Sequence, residues 1–271
     1  MLACTDPSPL PSAAAAVPAD DVCVVWRPVS VASDGPTGRS FHTLTRMVAV
    51  QPTSSSNESE SDGDSFLLLL GGRGPSDLAT DSAWVFSCRH GAWAPLAFTS
   101  VVTAADAADH PSLFPMASFA PRAYHTAVAT PAAAASVSTP VGTHCWVLGG
   151  KTSLDNDPAD ISADLLRIHL VQRRRTDVTG PAGGDSRQRF GVEAVVYKVL
   201  DGVTSIGPRA YHGCVQATTP TAPHPPRLVA FGGYSGVRLL DVVSTFDTGS
   251  MTWTNTFATA AEREKDQLTT P

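Results

Sequence analysis

The chain has 271 residues, 42% of them hydrophobic and 16% charged, which is enough apolar content for one or two buried cores. Its formal net charge of -6 at pH 7 argues against a general nucleic-acid binder, whose affinity comes mostly from lysines and arginines that contact phosphates. The 22 prolines and 21 glycines indicate many turns, so the composition favours short strands over a helix bundle.

The ends of the chain differ in composition from its middle. Residues 1–20 are rich in proline, alanine and serine and are predicted to be disordered, and residues 258–271 are predicted to be a polar tail. Residues 22–26 are predicted to form a short strand, the last of a unit whose earlier strands are missing. No stretch approaches the roughly 20 apolar residues that span a bilayer, and no basic residue precedes Arg27 in the manner of a signal peptide.

The cysteines bear on the compartment. They are an odd number without the close pairing of metal ligands: Cys4, Cys23, Cys88, Cys145 and Cys214. Free thiols in a reducing compartment are the simplest interpretation. We therefore expect a cytoplasmic protein, and a nuclear location is also open.

Three copies of one pattern fill the middle of the chain. Each copy opens with Arg-x-x-His and continues into an apolar run that ends in two glycines. The opening pairs are Arg39 and His42, Arg122 and His125, and Arg209 and His212. In the first and third copies an aromatic residue precedes a tryptophan by seven positions. The second copy lacks this tryptophan, and residues 195–197 are expected to supply its fourth strand. A repeat of this kind predicts architecture more strongly than a single motif.

The first copy offers four strands, at residues 42–50, 66–70, 83–86 and 93–98. The second strand of every copy is a continuous apolar run, which predicts burial on both faces and therefore a stack of similar sheets. We place the three four-stranded units at about residues 36–98, 119–200 and 207–257. The fold class is predicted to be all-β.

The paired glycines allow two interpretations. They permit backbone angles that other residues avoid and let a neighbouring chain approach closely. A phosphate-binding turn is the alternative, but that turn needs a helix to follow directly, and the segment after Gly72 is not predicted to be helical. Because the doublet occurs in all three copies, the structural role is favoured.

Insertions between strands fall at one end of the sheets. Residues 51–64, 130–140 and 218–226 lie between first and second strands, and residues 172–190 lie between the third and fourth strands of the second copy. In an up-and-down sheet these connections emerge at the same end. That end is either free solvent or a binding surface.

The last insertion carries the chain's main basic concentration: Arg173, Arg174, Arg175, Arg187 and Arg189. It is the candidate interaction loop, suited to a phosphate or an acidic partner, and a solvated loop is the simpler alternative.

Asp157, Asp160, Asp164 and His169 form the densest group of ligand-type residues. A polar loop leading into a strand explains them without a metal. No catalytic residue, metal or cofactor is predicted, and each Arg-x-x-His is expected to hydrogen-bond turns within or between sheets.

These motifs resemble the kelch-repeat β-propeller family, from about Trp26 to Trp253. The resemblance implies three kelch-type blades plus an orphan N-terminal strand, an incomplete propeller. More narrowly, the first copy is similar to the kelch portion of the tRNA wybutosine-synthesising, leucine carboxyl methyltransferase-like proteins, whose methyltransferase half we do not find in this sequence.

Kelch propellers mostly serve as platforms for protein interactions, so the resemblance implies a non-enzymatic interaction or scaffold module. The expected partner is another protein, with self-association through open blade faces, since propellers have roughly 4 to 8 blades. The alternative is a tRNA-modification component that contacts RNA or a catalytic partner. No membrane partner is expected.

Overall fold

A computed structural model describes residues 35–49, 65–99, 112–131, 142–153, 157–172, 190–200, 206–217 and 225–256. These residues form β-strands and one short 3-10 turn, Pro158–Asp160, so the predicted all-β class is confirmed. The strand predicted at residues 22–26, the predicted disordered residues 1–20 and the tail at 258–271 lie outside the described residues. Within the described residues, no helix has the length and apolar character needed to cross a membrane.

The first sheet has four antiparallel strands in up-and-down order. They are β1 (Thr43–Val48), β2 (Ser65–Leu70), β3 (Ala83–Ser87) and β4 (Ala92–Pro95). Its register aligns Thr43 with Leu70 and Val48 with Ser65, so the β1–β2 connection starts and ends at neighbouring positions. This matches the four strands predicted for the first copy except at the last of them.

The second sheet has six strands. They are β5 (Ala97–Thr99), β6 (Leu113–Met116), β7 (Thr126–Pro131), β8 (Thr143–Leu148), β9 (Leu165–Gln172) and β10 (Val192–Val199). Strands β7 to β10 form an antiparallel unit like the first sheet, and β10 is the fourth strand expected around residues 195–197. The outer edge of β10 pairs in parallel with β5 and antiparallel with β6.

The third sheet repeats the simple arrangement of the first. Its strands are β11 (Gly213–Ala217), β12 (Arg227–Phe231), β13 (Val243–Asp247) and β14 (Thr252–Thr256). The predicted spacing between Phe246 and Trp253 places the two residues opposite each other across β13 and β14, with ring centroids 5.0 Å apart. Phe86 and Trp93 form the same pair in the first sheet, 5.2 Å apart.

The single strand predicted at residues 93–98 is wrong in its second half. Strand β4 ends at Pro95, and the chain turns at the buried Leu96 to pair β5 with the second sheet. Phe98 then packs on Phe119, with ring centroids 6.2 Å apart. Strand β5 pairs with the edge of β10 through backbone hydrogen bonds. Without such a partner, the N–H and C=O groups of this edge would be unpaired.

Two apolar cores join the three sheets face to face. In the first core Phe66 and Leu68 of the first sheet pack with Val147 and Ile168 of the second. In the second core, Trp146 packs on Phe246 of the third sheet with centroids 5.5 Å apart. Burying each such side chain stabilises the fold by about 2 kcal/mol, so the stack is held by hydrophobic burial.

Burial of the second strand differs among the copies. Residues Cys145, Trp146, Val147 and Leu148 of β8 are all buried, as predicted. In the third copy the prediction is wrong, because β12 alternates and Phe231 is 58% exposed. The middle sheet has a neighbour on both faces, whereas none of the described residues covers the outer face of the third sheet.

The sheets share two distinct ends. The backbone N–H of Val48 donates to Thr143 Oγ1 at 2.8 Å, so the end of β1 lies beside the start of β8. The predicted insertions extend from this end and lie mostly outside the described residues. The opposite end, called the glycine end below, carries the three glycine pairs and the three Arg-x-x-His motifs.

Candidate functional site at the glycine end

The motif arginines bind turns of their own sheets. Arg39 Nη1 donates to the Gly71 carbonyl at 3.1 Å and to Ser82 Oγ at 2.7 Å. Arg122 Nη1 donates to the Gly149 carbonyl at 3.2 Å, and its guanidinium is fully buried. A buried cation requires such partners. Arg39 and Arg122 therefore hold the glycine turns, as predicted. Arg209 instead donates from Nη2 to the Ile206 carbonyl at 3.1 Å.

The motif histidines bridge neighbouring sheets. His125 Nε2 lies 2.9 Å from Thr43 Oγ1 of the first sheet, and His212 Nε2 lies 2.8 Å from Thr126 Oγ1 of the second. Burial, with a smaller contribution from the Arg122 charge, lowers the pKa of His125 to about 3. Burial and the Arg209 charge lower the pKa of His212 to about 4. Both imidazoles are consequently neutral at pH 7.

The glycine pairs receive a carbonyl from the next sheet. Gly72 N–H donates to the Arg122 carbonyl and Gly150 N–H to the Arg209 carbonyl, each at 2.9 Å. A Cβ on Gly149, whose φ is +61°, would overlap the Arg209 carbonyl. Close approach and left-handed backbone both require glycine here. The carbonyl, the glycine pair and the histidine together form what we call a joint, and the chain makes two of them.

Each end of the stack carries one unmatched half of a joint. Gly232 has a φ of +67°, as in the first two copies, but the nearest atom to its missing Cβ is its own sheet's Leu240 carbonyl, at 3.6 Å. At the other end, His42 is exposed whereas His125 and His212 are buried. Among the described residues, no third joint is formed.

A row of three aromatic residues crosses the glycine end: Phe41, Tyr124 and Tyr211, each directly before a motif histidine. Their ring centroids are 4.1 Å and 4.2 Å apart in sequence order. Tyr124 N–H donates to the Phe41 carbonyl at 3.2 Å, and Tyr211 N–H donates to the Tyr124 carbonyl at 3.1 Å. Phe41 is 50% and Tyr211 54% exposed. The three residues, called the aromatic row below, give the glycine end an exposed apolar surface with a fixed backbone.

The backbone of the aromatic row is unusual. Its φ angles are 56°, 59° and 59° in sequence order, a left-handed region that bulky residues rarely adopt. Each such residue costs about 1 to 3 kcal/mol, which the surrounding joints must offset. Sequence reasoning missed the row, although an aromatic residue before the histidine in all three copies was a visible signal.

The charge beside the row is positive on one side. Arg73 follows the first glycine pair, forms an ion pair with Asp77, and bridges to Ser40 through its backbone. Burial, followed by the neighbouring Tyr124, raises the pKa of Tyr211, and the Arg73 charge acts in the opposite direction. The phenol is therefore neutral at pH 7 and can donate a hydrogen bond to a partner.

The aspartates predicted as candidate ligands have different structural roles. Asp157 accepts from Ala159 N–H at 2.8 Å and caps the 3-10 turn that ends at Asp160. Asp164 pairs with Lys198 at 2.7 Å and lies 3.7 Å from Arg122. Within the described residues, no group of three or more His, Cys, Asp or Glu side chains is arranged to hold a metal ion.

The candidate interaction loop lies outside the described residues: Arg173, Arg174, Arg175, Arg187 and Arg189 fall between β9 and β10. None of the cysteines that the structure describes is in a disulfide: Cys88, Cys145 and Cys214. Burial raises the pKa of Cys145 to about 12 and that of Cys214 to about 11, so neither thiol is a nucleophile at pH 7.

Comparisons with known proteins found similarity to solved structures. No family model matches the chain, and no curated protein matches it. The chain is similar to a chain in a cryo-EM structure of RAG in complex with one melted RSS and one unmelted RSS, at 14% sequence identity and a TM-score of 0.47. The similarity covers 88% of this chain and 56% of that one, so this chain spans little more than half the neighbour's length. The geometry of the three sheets and the glycine end is therefore the basis for a function.

Proposed function

We propose that this chain is a non-enzymatic protein-interaction module of the kelch type, and that its partner docks on the aromatic row. The observation that carries the proposal is the exposure of Phe41 and Tyr211 on a backbone fixed by interstrand hydrogen bonds. Exposed aromatic residues held in one conformation lose little entropy on binding, and aromatic side chains dominate the energetics of protein interfaces.

The polar residues of the repeats favour binding over catalysis. A catalytic site is asymmetric, because acid, base and nucleophile have different tasks. Here Arg39 and Arg122 hold equivalent glycine turns. His125 and His212 bridge equivalent neighbouring sheets, and both are buried and neutral. They hold the surface in place, and the aromatic row is the part that faces a partner.

The chemistry of the row suggests the kind of partner. Phe41 and Tyr211 offer apolar contact area, and Arg73 lies beside it in its ion pair with Asp77. A protein segment with apolar side chains next to a carboxylate would match this surface. The kelch resemblance of the three repeats agrees with such a platform, as does the lack of a cofactor-binding turn in the sequence.

Replacing Phe41 and Tyr211 with asparagine together tests the proposal. Asparagine tolerates the left-handed backbone, so the variant keeps the fold and loses only the rings. Proteins that the immobilised wild-type chain captures from a cell extract, identified by mass spectrometry, should bind at least about tenfold more weakly to the variant, since losing two aromatic anchors costs about 1.4 kcal/mol or more. The matched control is the Leu78→Asn and Val237→Asn pair, which removes apolar residues outside the row that are even more exposed, at 64% and 81%.

Capture that is unchanged in the Phe41 and Tyr211 variant, or reduced equally in the control, would contradict docking on the row. The tRNA alternative predicts a different result. Bulk tRNA would then bind the wild-type chain and be lost when Arg173, Arg174 and Arg175 are replaced by alanine, because its affinity comes from phosphate contacts. Binding of tRNA with that pattern would favour the RNA-contacting component instead.

A further inference from the structure

The outer face of the third sheet resembles the faces by which the first and second sheets pack on the next sheet. None of the described residues packs on it. Phe231 is 58% exposed, whereas Leu70 and Leu148, at the same position of the first and second sheets, are buried. Val215 is 61% exposed, whereas Thr45 at the same position of the first sheet is buried under the second sheet. The third sheet therefore repeats the surface that receives the next sheet.

The outer face of the first sheet has the complementary residues. Leu44 is 38% exposed and lies at the position where Cys214 of the third sheet packs into the second core. Leu67 is partly exposed, whereas Cys145 and Leu228 at its position are fully buried. The first sheet thus presents the surface that the second and third sheets bury against their preceding neighbours.

The backbone groups at the glycine end agree with the side chains. The third sheet ends with Gly232 and Gly233 in left-handed conformation and with the Tyr211 carbonyl, which no backbone N–H of the described residues reaches. The first sheet begins with the exposed His42 and with the Phe41 N–H, the group whose counterparts on Tyr124 and Tyr211 bond to the preceding sheet. The third sheet therefore carries the glycine half of a joint, and the first sheet carries the half with the histidine and the arginine carbonyl.

We propose that the occupant of each open face is a second copy of this chain, joined head to tail, so that two copies close a ring of six sheets. The first sheet of each copy packs on the third sheet of the other through a joint like the two within the chain. Six sheets fall within the roughly 4 to 8 of closed propellers, and a head-to-tail contact that closes produces a finite ring rather than a fibre. This association uses the sheet faces and the backbone groups of Phe41 and Tyr211, and it needs no protein partner on the aromatic rings.

The proposed ring predicts the mass of the wild-type chain in solution and the mass of variants that carry opposite charges on the two faces. Light scattering on the full chain should give twice the 28.3 kDa of one copy. Leu44→Lys alone and Val215→Glu alone should each give single copies, because an unpaired charge would be buried in the contact. The double variant should recover the two-copy mass, since the two positions correspond to Cys214 and Val128, which both pack against the second core. Phe114→Glu, at a residue 57% exposed on the middle sheet, should leave the mass unchanged.

A backbone variant gives an independent test. Gly232→Ala should fold as a single copy, because its Cβ meets nothing closer than 3.6 Å among the described residues of its own chain but would block the incoming Arg39 carbonyl. Circular dichroism on each variant confirms that it is folded. A wild-type chain that scatters as a single folded copy, or as an open series of larger assemblies, overturns the proposal, and so does a Gly232→Ala variant that keeps the two-copy mass. Loss of partner capture with the two-copy mass intact would instead concern the aromatic row alone.

Discussion

Replacing Gly149 with alanine is expected to destabilise the chain by more than about 3 kcal/mol, the largest effect of any single methyl group in this fold. The added Cβ would overlap the Arg209 carbonyl and lie 3.2 Å from His212 Cε1. The backbone φ of +61° adds strain for any residue with a side chain. Because the overlap falls on the joint between the second and third sheets, the free energy of unfolding from urea denaturation should drop accordingly.

Gly91→Ala is the matched control for this substitution. Gly91 has nearly the same φ, +58°, but nothing lies within 4 Å of the position of its missing Cβ. Its replacement should cost only the backbone strain, about 1 kcal/mol. If Gly91→Ala and Gly149→Ala lowered the free energy of unfolding equally, the carbonyl contact would not be a structural requirement, and the joint would need another explanation.

Acidification is expected to unfold the chain well above the pH at which its carboxylates protonate. The unfolded chain takes up protons on His125 and His212 below pH 6.5, whereas the folded chain keeps both neutral until the pH approaches their lowered pKa values of about 3 and about 4. Each histidine's contribution is therefore complete above pH 6.5 and is lost as the pH falls. Between pH 7 and pH 5 the free energy of unfolding should decrease by about 2 kcal/mol for each histidine.

The His125→Gln and His212→Gln double variant isolates this effect. Glutamine can keep one hydrogen bond to Thr43 or Thr126 but takes up no proton. The variant should be less stable than the wild type at pH 7, and its free energy of unfolding should decrease much less than that of the wild type between pH 7 and pH 5. A wild-type chain whose unfolding midpoint is equal at pH 7 and pH 5 would show that the two imidazoles are not buried in neutral form.

The fold was largely predictable because each copy of the repeat carries the same pattern of apolar, glycine and aromatic residues, which the same packing requires. The apolar second strands, the glycine doublets and the aromatic pairs each indicated a sheet that packs against another, and the joints explain why the doublets recur. The turn at Leu96 was not predictable. Trp93 to Phe98 is a continuous apolar run that is compatible with a single strand. Strand β5 joins the second sheet because it pairs with the edge of β10, which the sequence does not show.

The site was less predictable than the fold. The structural role of the motif arginines and histidines was predicted from their repetition. The aromatic row was not, because it requires a left-handed backbone at bulky residues, which rarely adopt that conformation. The exposure of Phe231 was likewise hidden, because its apolar strand has the same composition whether or not a neighbouring sheet covers it. The exposure of such residues depends on whether another sheet packs on them, and the local sequence pattern does not show this.

Amide hydrogen exchange at the three equivalent glycines tests the joints most directly. In the Val215→Glu variant, which is expected to be a single copy, Gly72 and Gly150 donate to the Arg122 and Arg209 carbonyls, whereas Gly233 has no carbonyl of a following sheet among the described residues. We predict exchange at Gly72 and Gly150 only through opening of the sheets, with protection close to that of global unfolding, and rapid exchange at Gly233. Exchange at Gly72 and Gly150 as fast as at Gly233 would contradict the structural role assigned to the repeated arginines, histidines and glycines.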